Sequence, residues 1–288
     1  MNSVLALLLG LAALVLGAEM VVHEGSALAA RFNVSPLVVG MTVVSLGTSL
    51  PELAVGLNAA QQGNAGLAVG NIVGTNLVNI LLILGLSALV LPIAFEARTL
   101  RWDLPAMTGA ALLLFVVAAD GDLDTVDGLW LCLYGAAYLA LLTVLARRES
   151  RRPLAPTGGP APRTDGHADS ECGTDTAAPV RDRPVAVRAL LLVVGLAIVV
   201  VGSDFLVDGA VEIARELGAS DAVIGLTIVA VGTSAPELVT TLVATVRGDR
   251  SIAVGNLIGS SVFNIALILG PTVLAAPGTV PVPEDVLA

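Results

Sequence analysis

Two glutamates interrupt long apolar stretches of this sequence. Glu52 follows Pro51 and Glu237 follows Pro236, each well inside its stretch. A carboxylate at the centre of a bilayer costs at least about 2.5–3.5 kcal/mol on insertion scales, so each glutamate needs a partner. The two stretches that hold the glutamates, 35–60 and 221–246, contain no Lys or Arg. The pattern therefore predicts a bound cation or a proton as countercharge. A protonated glutamate that hydrogen-bonds between helices is the alternative.

The residues just before each glutamate supply oxygen atoms. A proline inside a helix removes one backbone hydrogen bond and clashes with the carbonyl four residues earlier, so the helix must kink or unwind. Freed carbonyls persist in a membrane only where they face protein or a wet cavity. They are predicted around 45–48 and 230–233, and hydroxyls on the same turns come from Thr48, Ser49, Thr233 and Ser234. A purely mechanical kink is the alternative.

Two polar stripes accompany these motifs, and their members are Asn71, Thr75 and Asn79 in one and Asn256, Ser260 and Asn264 in the other. Steps of four residues place each stripe on one helix face. We expect Asn71 and Asn256 to hydrogen-bond between helices, and the amide oxygens of Asn79 and Asn264 are candidate cation ligands. Carboxylate, amide and carbonyl oxygens suit Ca²⁺. Since these candidates include no Cys or His, a hard ion is favoured over Zn²⁺ or Cu⁺.

The charge of such a site predicts exchange. Once the cation has left, two carboxylates in a poorly solvated site repel each other strongly. The empty site is then costly to reorient until Na⁺ or H⁺ neutralises it. Obligatory counter-transport is the resulting hypothesis, and no residue in the sequence decides between Na⁺ and H⁺.

The composition predicts the kind of fold that holds these residues in place. The chain has 288 residues, of which 56% are hydrophobic and 13% charged, against about 25% charged in a soluble domain. Spans of about 20 apolar residues can cross a hydrocarbon core of about 30 Å. We predict an all-α polytopic integral membrane protein in contact with lipid, with eight candidate spans at 3–29, 35–60, 65–93, 104–119, 126–146, 186–211, 221–246 and 251–275.

Arginine placement predicts the orientation. The polar segment 147–185 is nearly free of large apolar residues, and it is expected to be a disordered loop. If this loop is cytoplasmic, alternation of the spans puts every one of the 14 basic residues except Arg215 on the same side. That bias follows the positive-inside rule and places the N-terminus outside. No basic patch interleaved with aromatics is present, so no nucleic-acid partner is expected.

An internal repeat carries most of the information. Residues 40–53 (GMTVVSLGTSLPEL) and 225–238 (GLTIVAVGTSAPEL) are identical at nine of fourteen positions, at an offset of 185. The same offset aligns 68–80 (AVGNIVGTNLVNI) with 253–265 (AVGNLIGSSVFNI). Five spans separate the copies, an odd number, so one copy crosses the membrane in the opposite sense to the other. Inverted repeats are typical of transporters, with an ion site near the midplane.

These paired segments resemble the α-repeats of the cation/Ca²⁺ exchanger superfamily, particularly its bacterial and archaeal Na⁺/Ca²⁺ exchangers. The resemblance implies a ten-helix inverted-repeat antiporter in a bacterial or archaeal plasma membrane. It implies a Ca²⁺ site formed by Glu52 and Glu237 with the carbonyls of Thr48 and Thr233. It also implies Na⁺ sites built from Ser49, Ser234, Thr75, Ser260, Asn79 and the carbonyls of Ser45 and Ala230.

Two departures from the family pattern affect these expectations. Some members have Asp at the position of Asn264, so the site here is limited to two carboxylates, and Na⁺ or H⁺ coupling stays open. The counterpart of residue 146 would lie at 331, beyond residue 288, so the last two helices are expected to be absent. The predicted organisation is a first half at 1–146, the loop 147–185 and a second half at 186–288.

The remaining alternatives are an H⁺/Ca²⁺ exchanger of the same architecture and a non-transporting membrane scaffold or fragment. An enzyme is not expected, since the sequence contains no HExxH, GxSxG or nucleotide-binding loop. No cofactor is expected either, and the ions are substrates. The oligomeric state is not predicted.

Overall fold

Apolar helices make up nearly all of the fold. A computed structural model describes residues 3–63, 65–93, 95–150, 183–218 and 230–283. The helices are α1 (Ser3–Arg31), α2 (Pro36–Thr48), α3 (Leu50–Gln61), α4 (Gly66–Val90), α5 (Thr99–Val117), α6 (Thr125–Ser150), α7 (Val185–Glu216), α8 (Ala230–Thr233), α9 (Ala235–Val246) and α10 (Arg250–Ala275). The predicted all-α class is confirmed.

Six of the described helices are long and apolar enough to cross a membrane, and the bent pair α2–α3 makes a seventh. The first part of the predicted span 221–246 lies outside the described residues, as do residues 151–182 of the predicted loop. The count of eight spans and the disorder of that loop therefore stay predictions. Within the described residues, the predicted span 104–119 begins five residues earlier, because a π-helical turn (Thr99–Asp103) extends α5.

One short sheet was not predicted. Strand β1 (Asp122–Leu123), between α5 and α6, pairs antiparallel with β2 (Val280–Pro281), which follows α10. The amide of Val282 also donates to the carbonyl of Gly121 at 2.8 Å. Two residues per strand give too little apolar alternation to be recognised in the sequence, and only the tertiary fold brings the two segments together.

The equivalent helices α1 and α7 pack closely and in opposite directions. A Cβ added at Gly10 would lie 2.7 Å from the carbonyl of Gly202, and one added at Gly17 would lie 2.8 Å from the carbonyl of Gly195. Later residues of α1 thus face earlier residues of α7, so the pair is antiparallel. Since Gly17 and Gly202 are equivalent in the repeat, this contact shows that the two copies are inverted.

Helix α10 lies at the centre of the described structure. In its most apolar stretch of 18 residues, 94% of the residues are buried, whereas 28% are buried in the corresponding stretch of α4, its equivalent in the first repeat. Its glycines explain the close packing, since a Cβ at Gly255 would lie 2.5 Å from the carbonyl of Leu37 in α2. On the other side, Gly135 of α6 contacts Leu267, and the ring of Tyr138 packs edge-on against Phe263 at 6.0 Å. The central helix is thereby held against both α2 and α6.

Candidate ion-binding site

The two glutamate motifs form breaks between successive helices. Helices α2 and α3 meet at Ser49 with a bend of 42°. The backbone angles of Ser49 (φ −87°, ψ 9°) are nearly those of Ser234 (φ −87°, ψ 5°), which separates α8 from α9. In both cases a proline occupies the first turn of the second helix, where its missing N–H is tolerated. The predicted interruption of each helix is confirmed.

The breaks bring both glutamates into the interior. Glu52 lies in the first turn of α3 and Glu237 in the first turn of α9, and both are fully buried. The hydroxyl of Ser49 donates to Glu237 Oε1 at 3.1 Å, so the motif of one repeat contacts the glutamate of the other. Ser49 lies three residues before Glu52, at the break of its own helix. The structure therefore places the break of one repeat beside the buried glutamate of the other.

Many oxygen atoms in this region have no hydrogen-bond partner among the described residues. Both carboxylate oxygens of Glu52 and Oε2 of Glu237 are in this group, with the side-chain oxygens of Thr75, Asn79, Ser234, Ser260 and Asn264. Leaving a buried polar group unsatisfied costs about 1–3 kcal/mol, and more for a charged group. So many unsatisfied acceptors in one interior fit the ligand set of a hard cation.

Only oxygen and amide chemistry is available to an ion here. The part of the chain that the structure describes contains no cluster of three or more His, Cys, Asp or Glu side chains that could hold a metal. The hydroxyl, amide and carbonyl oxygens named in the sequence analysis stay the predicted further ligands beside the two carboxylates. Such a donor set suits Ca²⁺ or Na⁺ rather than a soft metal.

Some predicted ligands are already engaged. The carbonyl of Ser45 accepts from the Ser49 amide at 3.1 Å and lies 3.3 Å from the Thr48 hydroxyl. Ser45 is therefore bonded within its own turn, which differs from the free carbonyl expected there. In the second repeat, Ala230 is the first residue of α8 and Thr233 is the last, and Thr233 is half-buried.

Asn256 joins the two broken helices, as expected for an interhelical hydrogen bond. Its Oδ1 accepts from the Thr48 hydroxyl at 3.2 Å, and its Nδ2 donates to the Thr241 hydroxyl at 3.1 Å. The equivalent Asn71 has an Nδ2 with no partner in the described ranges. Asn71 lacks the acceptor that Asn256 has, because Gly56 occupies the position equivalent to Thr241 and has no hydroxyl.

Two contributors to the site were missed from the sequence. The Ser203 hydroxyl on α7 donates at 2.9 Å to the carbonyl of Gly232, which Pro236 leaves without its helical donor. Thr241 orients Asn256, as just described. Ser203 and Thr241 are not matched across the repeat, because Ala18 and Gly56 occupy the equivalent positions. Their polarity in otherwise apolar helices was the available signal.

Comparison with known proteins agrees with this geometry. The model of the family described as "Sodium/calcium exchanger protein" matches residues 2–144 and 187–287. The chain belongs to this family. The chain is 36% identical over 273 residues to "Putative antiporter CaxA" of Alkalimonas amylolytica, covering 95% of this chain and 81% of the relative. It is also 36% identical over 300 residues to "Sodium/calcium exchanger MaX1" of Methanosarcina acetivorans, covering 95% and 83%.

A solved structure, "Sodium/Calcium Exchanger from Methanococcus jannaschii", matches with a TM-score of 0.80 and 31% identity, over 99% of this chain and 86% of that chain. The family consists of membrane transporters of Ca²⁺ and Na⁺, not of enzymes, so the protein is an integral membrane protein of the cation/Ca²⁺ exchanger type. The resemblance stated from the paired motifs is confirmed.

Proposed function

We propose that the protein is a secondary active antiporter that exchanges Ca²⁺ for Na⁺ across the membrane by alternating access. One observation carries the proposal. Two fully buried carboxylates, one from each inverted repeat, occupy one site, and three of their four oxygens have no partner among the described residues. Relatives named as sodium/calcium exchangers support the choice of ions.

The proposed Ca²⁺ site uses the carboxylates of Glu52 and Glu237 with the carbonyls of Thr48 and Thr233. The proposed Na⁺ positions use the side chains of Ser49, Ser234, Thr75, Ser260 and Asn79, and the carbonyls of Ser45 and Ala230. The amide oxygen of Asn264 is a further proposed cation ligand. Most of these side-chain oxygens are buried and unsatisfied, which supports a role as ligands. The engaged carbonyl of Ser45 would have to exchange an internal hydrogen bond for an ion.

Exchange follows from repulsion between the two carboxylates. A divalent ion neutralises both carboxylates. Without an ion, the two carboxylates repel each other in a medium of low dielectric constant. Reorientation is then favourable only with Ca²⁺ or with replacement cations bound. The Ser49–Glu237 hydrogen bond couples the two repeats, so occupancy is sensed by both halves, 1–146 and 186–288. In this proposal the N-terminus is outside, and the 147–185 loop is cytoplasmic.

The test is uptake of ⁴⁵Ca²⁺ into proteoliposomes that contain the purified full chain. Vesicles loaded with Na⁺ are diluted into Na⁺-free buffer, and a parallel set carries an imposed pH gradient instead. We expect uptake driven by the Na⁺ gradient and its loss in Glu52→Gln and Glu237→Gln. Uptake driven only by the pH gradient would assign the protein to the H⁺-coupled alternative.

The matched control is Glu212→Gln, which makes the same chemical change at an exposed position near the end of α7. It should transport like the wild type. Full activity in either site variant would contradict the proposal. Absence of uptake under both gradients, from protein that elutes as a folded species, would favour a non-transporting scaffold.

A further inference from the structure

The repeats differ in the helix turns that lead away from the two glutamates. On α9, the residues after Glu237 include Thr240, Thr241 and Thr245, all of them buried. On α3, the equivalent residues after Glu52 are Val55, Gly56 and Ala60. One direction away from the site is thus lined with hydroxyls, and the inverted direction is apolar.

Helix α4 adds a further hydroxyl to the polar direction. Its second half packs against α9, and Ser87, which belongs to that half, is fully buried. We call Thr240, Thr241, Thr245 and Ser87 the hydroxyl face. By the 185-residue offset, Ser87 corresponds to Thr272 of α10, which contacts Gly56 of α3. The two helix pairs are therefore built alike, and their side chains differ.

Two of the four hydroxyls on the hydroxyl face have partners, and the other two have none among the described residues. Thr245 donates to the carbonyl of Thr241 at 2.7 Å, and Thr241 accepts from Asn256. Thr240 and Ser87 have buried hydroxyls without a partner in the part of the chain that the structure describes. Buried hydroxyls are normally satisfied by protein or by ordered water, so these two indicate a place for water or for an ion.

The inverted counterpart is closed. A Cβ added at Gly56 would lie 2.8 Å from the hydroxyl oxygen of Thr272, so the two helices touch there. The Thr272 hydroxyl donates to the carbonyl of Ile268 at 2.8 Å and needs no further partner. Ala60 is fully buried. This contact leaves neither room nor unsatisfied oxygen for a hydrated ion.

The hydroxyl face leads to one identifiable side of the membrane. α9 ends at Val246, and α10 begins at Arg250 after a short turn. The hydroxyl of Ser251 lies 3.4 Å from Glu96, which follows the end of α4. The ends of both helices that carry the hydroxyl face therefore lie on the same side, called here the Arg250 side.

We propose that the hydroxyl face lines a route along which a partly hydrated cation passes between Glu237 and the Arg250 side. Hydroxyl oxygens replace part of the hydration shell of a hard cation, and their spacing along α9 and α4 gives successive positions. The equivalent face between Glu52 and the opposite side provides no such route. The proposal rests on the exchange function proposed above, because it assigns the path to the same site.

The first experiment measures access without measuring transport. In a Cys132→Ala and Cys172→Ser background, Thr240→Cys and Ser87→Cys are treated with a cationic, membrane-impermeant methanethiosulfonate applied from the Arg250 side. The thiolate is the reactive form, and it requires a wet environment, so we expect modification at least about tenfold faster than at the equivalent Val55→Cys and Thr272→Cys treated from the other side.

An Arg250→Cys control marks reagent access, because Arg250 is exposed. If Thr240→Cys and Ser87→Cys both fail to react while Arg250→Cys reacts, the proposal is overturned. Equal reaction of the Val55 and Thr272 variants from their side would overturn the asymmetry. Rapid reaction at 240 and 87 in a protein that fails to take up Ca²⁺ would refute the proposed function and leave the wet route standing.

The second experiment measures exchange. Thr240→Val keeps the shape and removes the hydroxyl, so we expect exchange slowed by about three- to tenfold. Thr240→Ser should restore the rate because it restores the oxygen. Thr272→Val, in which a hydroxyl satisfied by its own helix is removed, should stay within about twofold of the wild type. An equal loss in the Val variants at 240 and 272 would refute a specific role for the hydroxyl face.

Discussion

Replacing Asn256 by Leu should weaken the joint between the two broken helices. The side chain keeps nearly the same volume and loses both ends of its amide. The Thr48 hydroxyl then loses its acceptor at 3.2 Å, and the Thr241 hydroxyl loses its donor at 3.1 Å. All three side chains are fully buried, so no exposed surface allows solvent to compensate.

The expected cost follows from the number of bonds. Hydrogen bonds between membrane helices are worth about 0.6 kcal/mol on average and about 1.7 kcal/mol at most. Two such bonds give about 1–3 kcal/mol of stability lost in Asn256→Leu. The repeat supplies a matched control in Asn71→Leu. Since the Nδ2 of Asn71 has no partner in the described structure, its replacement should cost less.

Unfolding by SDS in mixed micelles, followed by circular dichroism, measures both variants. A double-mutant cycle with Thr241→Val isolates the Asn256–Thr241 bond, and we expect a coupling energy of about 0.6 kcal/mol. Equal losses in Asn256→Leu and Asn71→Leu would refute the argument that Thr241 makes the two repeats unequal. A coupling energy of zero would refute the bond itself.

Three further changes have defined outcomes. Ser203→Ala leaves the carbonyl of Gly232 without a donor and should lower stability in SDS titration by about 0.5–1.5 kcal/mol. Gly255→Ala places a methyl group against the α2 backbone, so the helices must separate, and monodisperse protein should be lost in gel filtration. Glu24→Gln removes the buried partner of Arg188, 3.2 Å away, and should cost about 3–5 kcal/mol in the same titration, as for other broken buried pairs.

Each change has a comparison within the chain. Ala18 occupies the position equivalent to Ser203, so Ala18→Ser adds a hydroxyl and should not lower stability as the loss of Ser203 does. Gly63→Ala adds a methyl group at a turn with open space, and its cost should come from a φ of 74° and not from a clash. The side chain of Arg183, which also pairs with Glu24, is 51% exposed, so Arg183→Ala should cost much less than Glu24→Gln.

The helical class, the inverted repeat and the positions of the two buried glutamates after helix breaks were all predictable from the sequence. Each depends on a local or periodic property. Apolar length predicts a span, a proline inside a span predicts a break, and an unpaired carboxylate between apolar residues predicts an ion or a proton. The matched motifs at one offset added the prediction that Glu52 and Glu237 share one site, because equivalent positions of an inverted repeat meet near its centre.

Only the tertiary structure decided how the two halves differ. Ser203 reaches the Gly232 carbonyl across a helix interface, and Thr241 reaches Asn256 across another, so neither contact follows from spacing along one helix. The engaged carbonyl of Ser45 and the closed contact of Gly56 with Thr272 are also products of packing. The physical reason is that a hydrogen bond forms within about 3 Å of its partner. A sequence repeat places equivalent residues symmetrically, and the unmatched ones find their partners only when the helices pack.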